Sequence, residues 1–191
     1  MTELPRRISE LFEFLDGTRD RLLETAASVS PALAAIRPTD GTWSVAEIMA
    51  HLAKVEGGIA QMIEKSVAWA RANGIGPATS DSSILNSLDQ YRIADSPERR
   101  KAPDIVVPEE DKPIDDSLAS LKQSRERLKD ALAGSTDLDL TQVKRPHRVV
   151  GEVDMYQWAL FVGQHEERHR AQIERTIGEV TERCAECAPI V

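Results

Sequence analysis

Two histidines near the C-terminus have the spacing of paired metal ligands. They stand in the segment His165-Glu166-Glu167-Arg168-His169, after apolar residues at Met155, Trp158 and Val162 that share one helical face. Residues i and i+4 of an α-helix lie on the same face, about 6 Å apart along the axis, so both imidazoles can reach one ion. Two ligands rarely hold a catalytic metal, so a third ligand must come from another part of the chain.

The same segment also matches the H-E-x-x-H motif of zinc metalloproteases, in which Glu166 would be the general base. Zincins take a third ligand downstream of this motif, but few residues follow His169, and the extended metzincin pattern is absent. No upstream strand is apparent that could pair with a peptide substrate. We therefore keep a metalloprotease only as the most distant alternative.

The chain has two further histidines, His51 and His147. His51 belongs to a helical pattern that opens with the capping box Ser44 to Glu47 and borders an apolar stripe, beside Leu52. A single histidine on such a face is more often a core residue than a ligand. Three histidines on bundle-facing stripes favour a metal site. His147 lies in a polar segment, where we expect an exposed loop residue, although it could also line a pocket mouth.

Apolar residues recur at alternating three- and four-residue intervals in four segments, which predicts four long helices at about residues 4–29, 44–73, 113–133 and 152–179. Residues 74–113 contain several prolines and only a possible short helix at 83–94, so we expect a crossover that covers one end of a bundle. Residues 136–151 read as a polar loop. The predicted fold is an all-α four-helix bundle, with one domain over residues 1–180 and a tail over 181–191.

Composition limits the partners of the chain. It has 191 residues, of which 41% are hydrophobic and 4% aromatic, a net charge of −8 and a pI near 5.1. An acidic surface disfavours nucleic acid and anionic membranes as partners. No apolar stretch approaches the ~20 residues of a membrane span, and the N-terminus lacks a signal-peptide pattern, so we expect a cytoplasmic protein.

Three other features have both a structural and a functional interpretation. Arg125 falls within the apolar stripe of the third helix, where we expect its stem to pack and its head to extend to solvent; binding of an anionic ligand is the alternative. Gly57-Gly58, in mid-helix, would suit a close backbone approach or a bend. Cys184 and Cys187 form a C-x-x-C pair without the context of a zinc ribbon or a thioredoxin motif, so we expect a mobile, reduced tail.

Several motifs together resemble the DinB/YfiT-like superfamily over most of the chain. They are Gly41-Thr-Trp43-Ser44-Val45-Ala-Glu47-Ile48-Met-Ala-His51-Leu52, Gly151-Glu-Val-Asp-Met-Tyr-Gln-Trp158 and His165-x-x-x-His169-Arg-Ala-Gln172-Ile173. The resemblance implies a four-helix bundle in which His51, His165 and His169 bind one divalent metal, usually zinc or nickel. It also implies that Trp43 and Gln172 support the site without being ligands, and that the protein is a homodimer.

The resemblance leaves the reaction open, since its members include thiol S-transferases, thiol-dependent isomerases and metal-dependent hydrolases. The first hypothesis is an enzyme in which the metal activates a water or a low-molecular-weight thiol for attack on a small-molecule substrate. Glu166 and Arg125 are then candidates for proton transfer and anion binding. The second hypothesis is a non-catalytic metal- or ligand-binding bundle with a role in stress response.

Overall fold

In the computed structural model, four long helices form the bundle that the sequence predicts, together with one short helix and a β-hairpin. The structure describes residues 4–95, 101–109 and 112–186; residues 185 and 186 are described by their backbone alone. The elements in chain order are α1 (Arg6–Ala27), α2 (Pro31–Ala34), α3 (Val45–Ala72), α4 (Ile114–Ala133), β1 (Lys144–His147), β2 (Gly151–Asp154) and α5 (Met155–Glu186). The fold is all-α with one small two-stranded sheet.

The inner faces of the long helices carry the predicted stripes. α1 packs against α5, α3 packs against α4, and α3 also contacts α5. On α1, the apolar side chains that are at most 1% exposed are Ile8, Leu11, Leu15 and Leu22. No helix among the described residues has both the length and the apolar character needed to cross a membrane.

Local sequence signals explain where α3 begins and ends. The Ser44 side chain accepts a hydrogen bond from the Glu47 backbone N–H, and the Glu47 carboxylate accepts one from the Ser44 N–H, so the predicted capping box is confirmed. Asn73 caps the C-terminus, and Gly74 follows with a φ of 71°. Within the helix, a Cβ on Gly57 or Gly58 would meet no heavy atom within 4 Å. Neither glycine is therefore explained by a close backbone approach among the described residues.

The crossover after α3 differs from its prediction. Instead of a helix over residues 83–94, the described part of the crossover contains two 3₁₀ turns, Asp89–Tyr91 and Asp104–Val106. The segment before them is held by the start of α1. The Asp81 carboxylate accepts hydrogen bonds from the backbone N–H groups of Arg6 and Arg7, at 2.5 and 2.9 Å, and so caps that helix. The crossover segment around Asp81 thus makes tertiary contacts with α1 and does not form a helix.

A β-hairpin replaces the second half of the loop predicted at residues 136–151. β1 and β2 pair antiparallel, with Arg145 opposite Val153. α5 therefore starts at Met155 and not near residue 152. Asp154 and Gln157 form a reciprocal capping box at this point, with bonds of 3.1 and 2.9 Å, and this Asp-x-x-Gln signal marks the true start.

Candidate metal centre

Three of the four histidines meet between α3 and α5. The ring nitrogens of His51, His165 and His169 that could serve as ligands all lie within 4.8 Å of one another. The Nε2 atoms of His165 and His169 are 3.1 Å apart. Two ligands of a tetrahedral ion with bonds of about 2.1 Å stand roughly 3.4 Å apart. The donor set therefore fits a metal ion, and the cluster could hold one with small ring movements.

Hydrogen bonds fix which nitrogen is available on two of the rings. The Nδ1–H of His51 donates to the Val106 carbonyl at 2.8 Å, and the Nδ1–H of His169 donates to Oε1 of Gln172 at 2.9 Å. Because a carbonyl oxygen can only accept, each of these rings keeps its Nε2 lone pair for a metal. The Trp43 ring packs against His51, with the centroids 4.9 Å apart.

Burial keeps the three imidazoles neutral. It lowers the pKa of His51, although the bond to the Val106 carbonyl partly opposes this shift. Burial, followed by the nearby imidazoles, holds the pKa of His165 well below its usual value and lowers that of His169 to about 3. Since only a neutral imidazole coordinates a metal, the chain presents its ligands in the binding form at neutral pH.

The crossover contributes to the site through a segment that we call the strap, residues 104–109. The strap supplies the Val106 carbonyl that orients His51. Lys54, one turn along α3, holds the strap by donating to the Val107 carbonyl at 3.0 Å and pairing with Glu109 at 3.1 Å. No sequence signal indicates Val106, because this residue acts through its backbone in a segment without periodicity.

A row of rings leads away from the cluster towards the hairpin. Phe161 stacks on His165 with a centroid distance of 5.2 Å. The centroid of the His147 ring lies 4.5 Å from that of Phe161 and 5.0 Å from that of Trp158. His147 is thus half-buried at the end of β1, and the expectation of an exposed loop histidine is wrong. It is not part of the histidine cluster.

Glu166 lies off the histidine face, because one residue turns a helix by about 100°. Its side chain is 1% exposed, and its carboxylate accepts bonds from Thr18 Oγ1 at 2.8 Å, Arg19 Nε at 2.7 Å and Arg125 Nη2 at 3.0 Å. A general base must reach the proton that it removes. The metalloprotease alternative requires this carboxylate beside the histidine ligands, and the structure does not place it there.

Arg125 is buried, so the expectation that its head extends to solvent is wrong. Its guanidinium donates to Glu56 at 2.7 Å, to Glu166 at 3.0 Å and to the Leu15 carbonyl. Burial alone would lower the pKa of Arg125, but Glu166 and Glu56 outweigh it and raise that pKa. The protein's own groups engage all three nitrogens, and the structure gives Arg125 no contact with the histidine cluster.

Arg19, Glu56, Arg125 and Glu166 form a neutral group that we call the buried quartet. Arg19 also contacts Glu56, and its Nη1 donates to the Leu121 carbonyl at 2.9 Å. The four side chains come one each from α1, α3, α4 and α5. Two positive and two negative charges compensate one another here, as buried charges require.

Two other features lie away from the cluster. A cavity of about 730 Å³ is lined by residues 4–10 at the start of α1 and by parts of the crossover, and it contains none of the three histidines. Cys184 is a free, exposed residue on α5, which continues to Glu186. Residues 181–186, which the sequence assigned to the tail, therefore belong to this helix. Cys187 lies outside the described residues, so the prediction that the two cysteines are reduced stays a prediction.

Comparison with known proteins identifies the family of the chain. The model of the DinB superfamily matches residues 15–173, a span that includes all three clustered histidines. The chain belongs to the DinB superfamily. One relative of this DinB-superfamily chain is YuaE, an uncharacterized protein of Bacillus subtilis (strain 168), which is 29% identical over 139 residues. This alignment covers 72% of the present chain and 79% of the relative. No solved structure gives a significant match.

Proposed function

We propose that His51, His165 and His169 bind one divalent metal ion, zinc or nickel, and that the chain is an enzyme acting on a small molecule. The observation that carries this proposal is the convergence of three imidazole ligands within 4.8 Å. Their low pKa values and the hydrogen bonds to two of the rings support it, because both favour neutral, preoriented ligands.

A divalent ion held by three imidazoles retains open coordination positions and supplies Lewis acidity, which lowers the pKa of a water or a thiol towards neutrality. The chain's part is to hold the ligands and shape the surroundings. Val106 and Gln172 orient two rings, while Trp43 and Phe161 flank the cluster with apolar surface. A water nucleophile would make the protein a hydrolase, and a low-molecular-weight thiol would make it an S-transferase.

Metal analysis tests the binding part of the proposal. Untagged protein should contain about one divalent ion per chain, and a His165→Ala, His169→Ala double variant should contain almost none. His147→Ala is the matched control, because His147 lies outside the cluster, and it should keep the metal. Added metal should raise the melting temperature of the wild type and of His147→Ala, but not that of the double variant. Equal metal content in all three proteins would refute the site.

Turnover assays then separate an enzyme from a non-catalytic bundle. Metal-loaded protein would be incubated with small electrophilic esters, amides and alkyl halides, with and without low-molecular-weight thiols. Consumption that requires both metal and thiol identifies an S-transferase, and consumption that requires metal alone identifies a hydrolase. Tight metal binding without turnover over this panel would favour the non-catalytic metal-binding role.

A further inference from the structure

The histidine cluster is largely enclosed by protein. The exposed fractions of His51 and His169 are 4% and 8%, and His165 is half-buried. Cavities of about 730 and 310 Å³ lie elsewhere on the chain, and neither is lined by a histidine of the cluster. Separating the helices that carry the three rings would expose their buried apolar faces at a large cost in free energy. A smaller element beside the rings is therefore the better candidate for the part that moves when an ion enters or leaves.

The strap is such an element, and two residues of α3 hold it. His51 donates from Nδ1 to the Val106 carbonyl at 2.8 Å. Lys54 donates to the Val107 carbonyl at 3.0 Å and pairs with Glu109 at 3.1 Å. The Lys54 and Glu109 side chains are 30% and 69% exposed, and an ion pair with such exposure adds little stability. One of the two holding residues is thus a candidate metal ligand.

Apolar packing adds little to the hold on the strap. Ile105 is 86% exposed and Val107 is 39% exposed, so these side chains bury little surface against the bundle. Pro108 is the buried residue of the strap. A segment with few buried apolar contacts opens locally at a much lower free energy than the helices around it. The strap can therefore detach from α3 while the bundle stays folded.

His51 couples the strap to the occupancy of the site, because its two ring nitrogens face different partners. Its Nδ1–H contacts the strap, and its Nε2 is the atom available to a metal. When a cation binds Nε2, the ring becomes a stronger donor, and its bond to the Val106 carbonyl becomes charge-assisted, roughly twice as strong as a neutral one. By linkage, the closed strap must favour the bound ion as much as the ion favours the closed strap.

We infer that the strap is the gate of the candidate metal site: it detaches from α3 to let a divalent ion in or out, and it closes when His51 binds the ion. The inference rests on the proposed function for the presence of the ion. It goes beyond the positioning of one ring, because it makes the strap control the rate of exchange and makes the ion control the order of the strap.

Hydrogen exchange of the full chain, with and without zinc, tests the effect of the ion on the strap. Within its 3₁₀ turn, the N–H groups of Val106 and Val107 donate to the carbonyls of Pro103 and Asp104 at 3.0 and 3.2 Å. These N–H groups exchange when the turn opens. Zinc should slow their exchange about tenfold, as expected when a neutral hydrogen bond to the strap becomes charge-assisted.

The turn Asp89–Tyr91 is the matched control, since it is the same kind of turn in the same crossover and the structure gives it no hydrogen bond to the described histidines. Zinc should leave its exchange unchanged. Equal slowing of both turns, or an unchanged strap in protein that holds one zinc per chain, would overturn the gate and leave the metal site intact. Zinc content is measured on the same samples, and protein without zinc would refute the metal site and the gate with it.

Stopped-flow mixing with a chromophoric chelator measures how fast zinc enters and leaves. A gate limits both steps, so Lys54→Met, which removes a contact of the strap, should speed release about thirtyfold and uptake about threefold. Lys65→Met removes the same charge further along α3 and should change neither rate. Both rates are measured at low and high salt, because a gain from the lost charge alone would disappear in salt.

Two results of this experiment would overturn the gate. Faster release with unchanged uptake would show that the strap positions His51 without controlling access to it. Equal gains in Lys54→Met and Lys65→Met, or a gain in Lys54→Met that disappears in salt, would assign the effect to charge and not to the strap. Melting temperatures of the metal-free variants would verify that both are folded.

Discussion

Glu166 and Glu167 are adjacent in the sequence but differ in what surrounds them. Glu166 is buried with Arg19 and Arg125, whereas Glu167 pairs with Arg21 and Arg170 at the surface. Glu166→Gln leaves two buried guanidinium groups with one carboxylate, so we expect it to lower the free energy of unfolding by about 3 kcal/mol or more. Glu167→Gln makes the same chemical change in partly exposed pairs and should cost less than about 1 kcal/mol.

Urea denaturation of the two variants measures this difference. Equal free energies of unfolding for Glu166→Gln and Glu167→Gln would show that the buried quartet adds no more stability than a surface pair. A loss confined to Glu166→Gln, with metal content retained, would assign this residue a structural role and remove it from the candidates for proton transfer.

The histidine cluster makes the stability of the metal-free protein depend on pH. The pKa of His169 is about 3 in the folded chain, against a usual value of 6.5. Between these two values the unfolded chain binds a proton that the folded chain does not. The stability that neutral His169 contributes is therefore complete above pH 6.5 and is lost as the pH falls towards 3.

Each such histidine adds about 1.4 kcal/mol per pH unit to the slope of the unfolding free energy in this window. We expect His169→Ala to have a shallower slope than the wild type between pH 6.5 and 4, both measured in the presence of a chelator. The carboxylates of the two proteins are the same, so their contribution cancels in the comparison. Identical slopes would contradict a buried neutral His169.

The strap is the part of the crossover that contacts the candidate metal site. Lys54 holds it through the Val107 carbonyl and Glu109, and the strap in turn fixes the ring of His51. Lys54→Met should therefore weaken zinc binding about tenfold, at the lower end of the effects of residues that orient metal ligands. A competition titration with a chromophoric chelator measures this affinity.

Lys65→Met is the control for Lys54→Met. It makes the same change of charge and shape three turns further along α3. Its zinc affinity should equal that of the wild type. A Lys54→Met protein with unchanged affinity would mean that His51 is held by its other contacts, among them Trp43, and that the strap does not position it.

The packing of α1 on α5 depends on one glycine. A Cβ on Gly163 would come within 2.4 Å of the Phe14 ring, whereas one on Gly178 would meet nothing within 4 Å. Gly163→Ala should lower the free energy of unfolding by about 1–3 kcal/mol through overpacking. Gly178→Ala should raise it by about 0.5–1 kcal/mol through helix propensity. If thermal unfolding showed a gain for both variants, Phe14 would move aside at little cost.

At the scale of the whole molecule, the structural features that can be predicted from the sequence are those that depend on local periodicity. The i, i+4 pair His165 and His169, the inner stripe of each long helix and the capping box at Ser44 are all properties of neighbouring residues, and the structure has them as predicted. The family assignment from the combined motifs is confirmed as well.

Features that depend on distant partners were not predictable in the same way. Arg125 has its partners on three other helices, and no spacing within α4 indicates which side chains will meet it. The bond between Val106 and His51 joins a residue without periodicity to one 55 positions away. β1 contains a proline, which favoured a loop. The homodimer stays a prediction.

The buried quartet has a consequence for the order in which the chain becomes native during synthesis. Until α5 leaves the ribosome, Arg19 and Arg125 share only Glu56, and the interior would hold one uncompensated positive charge. We therefore expect a fragment of residues 1–154 to remain largely unfolded and to gain helical circular dichroism when a peptide of residues 155–191 is added. A peptide with Glu166→Gln should complement it more weakly than one with Glu167→Gln, and equal complementation would contradict this role. The last helix thus delivers the charge that closes the interior in the same step as two of the three candidate metal ligands.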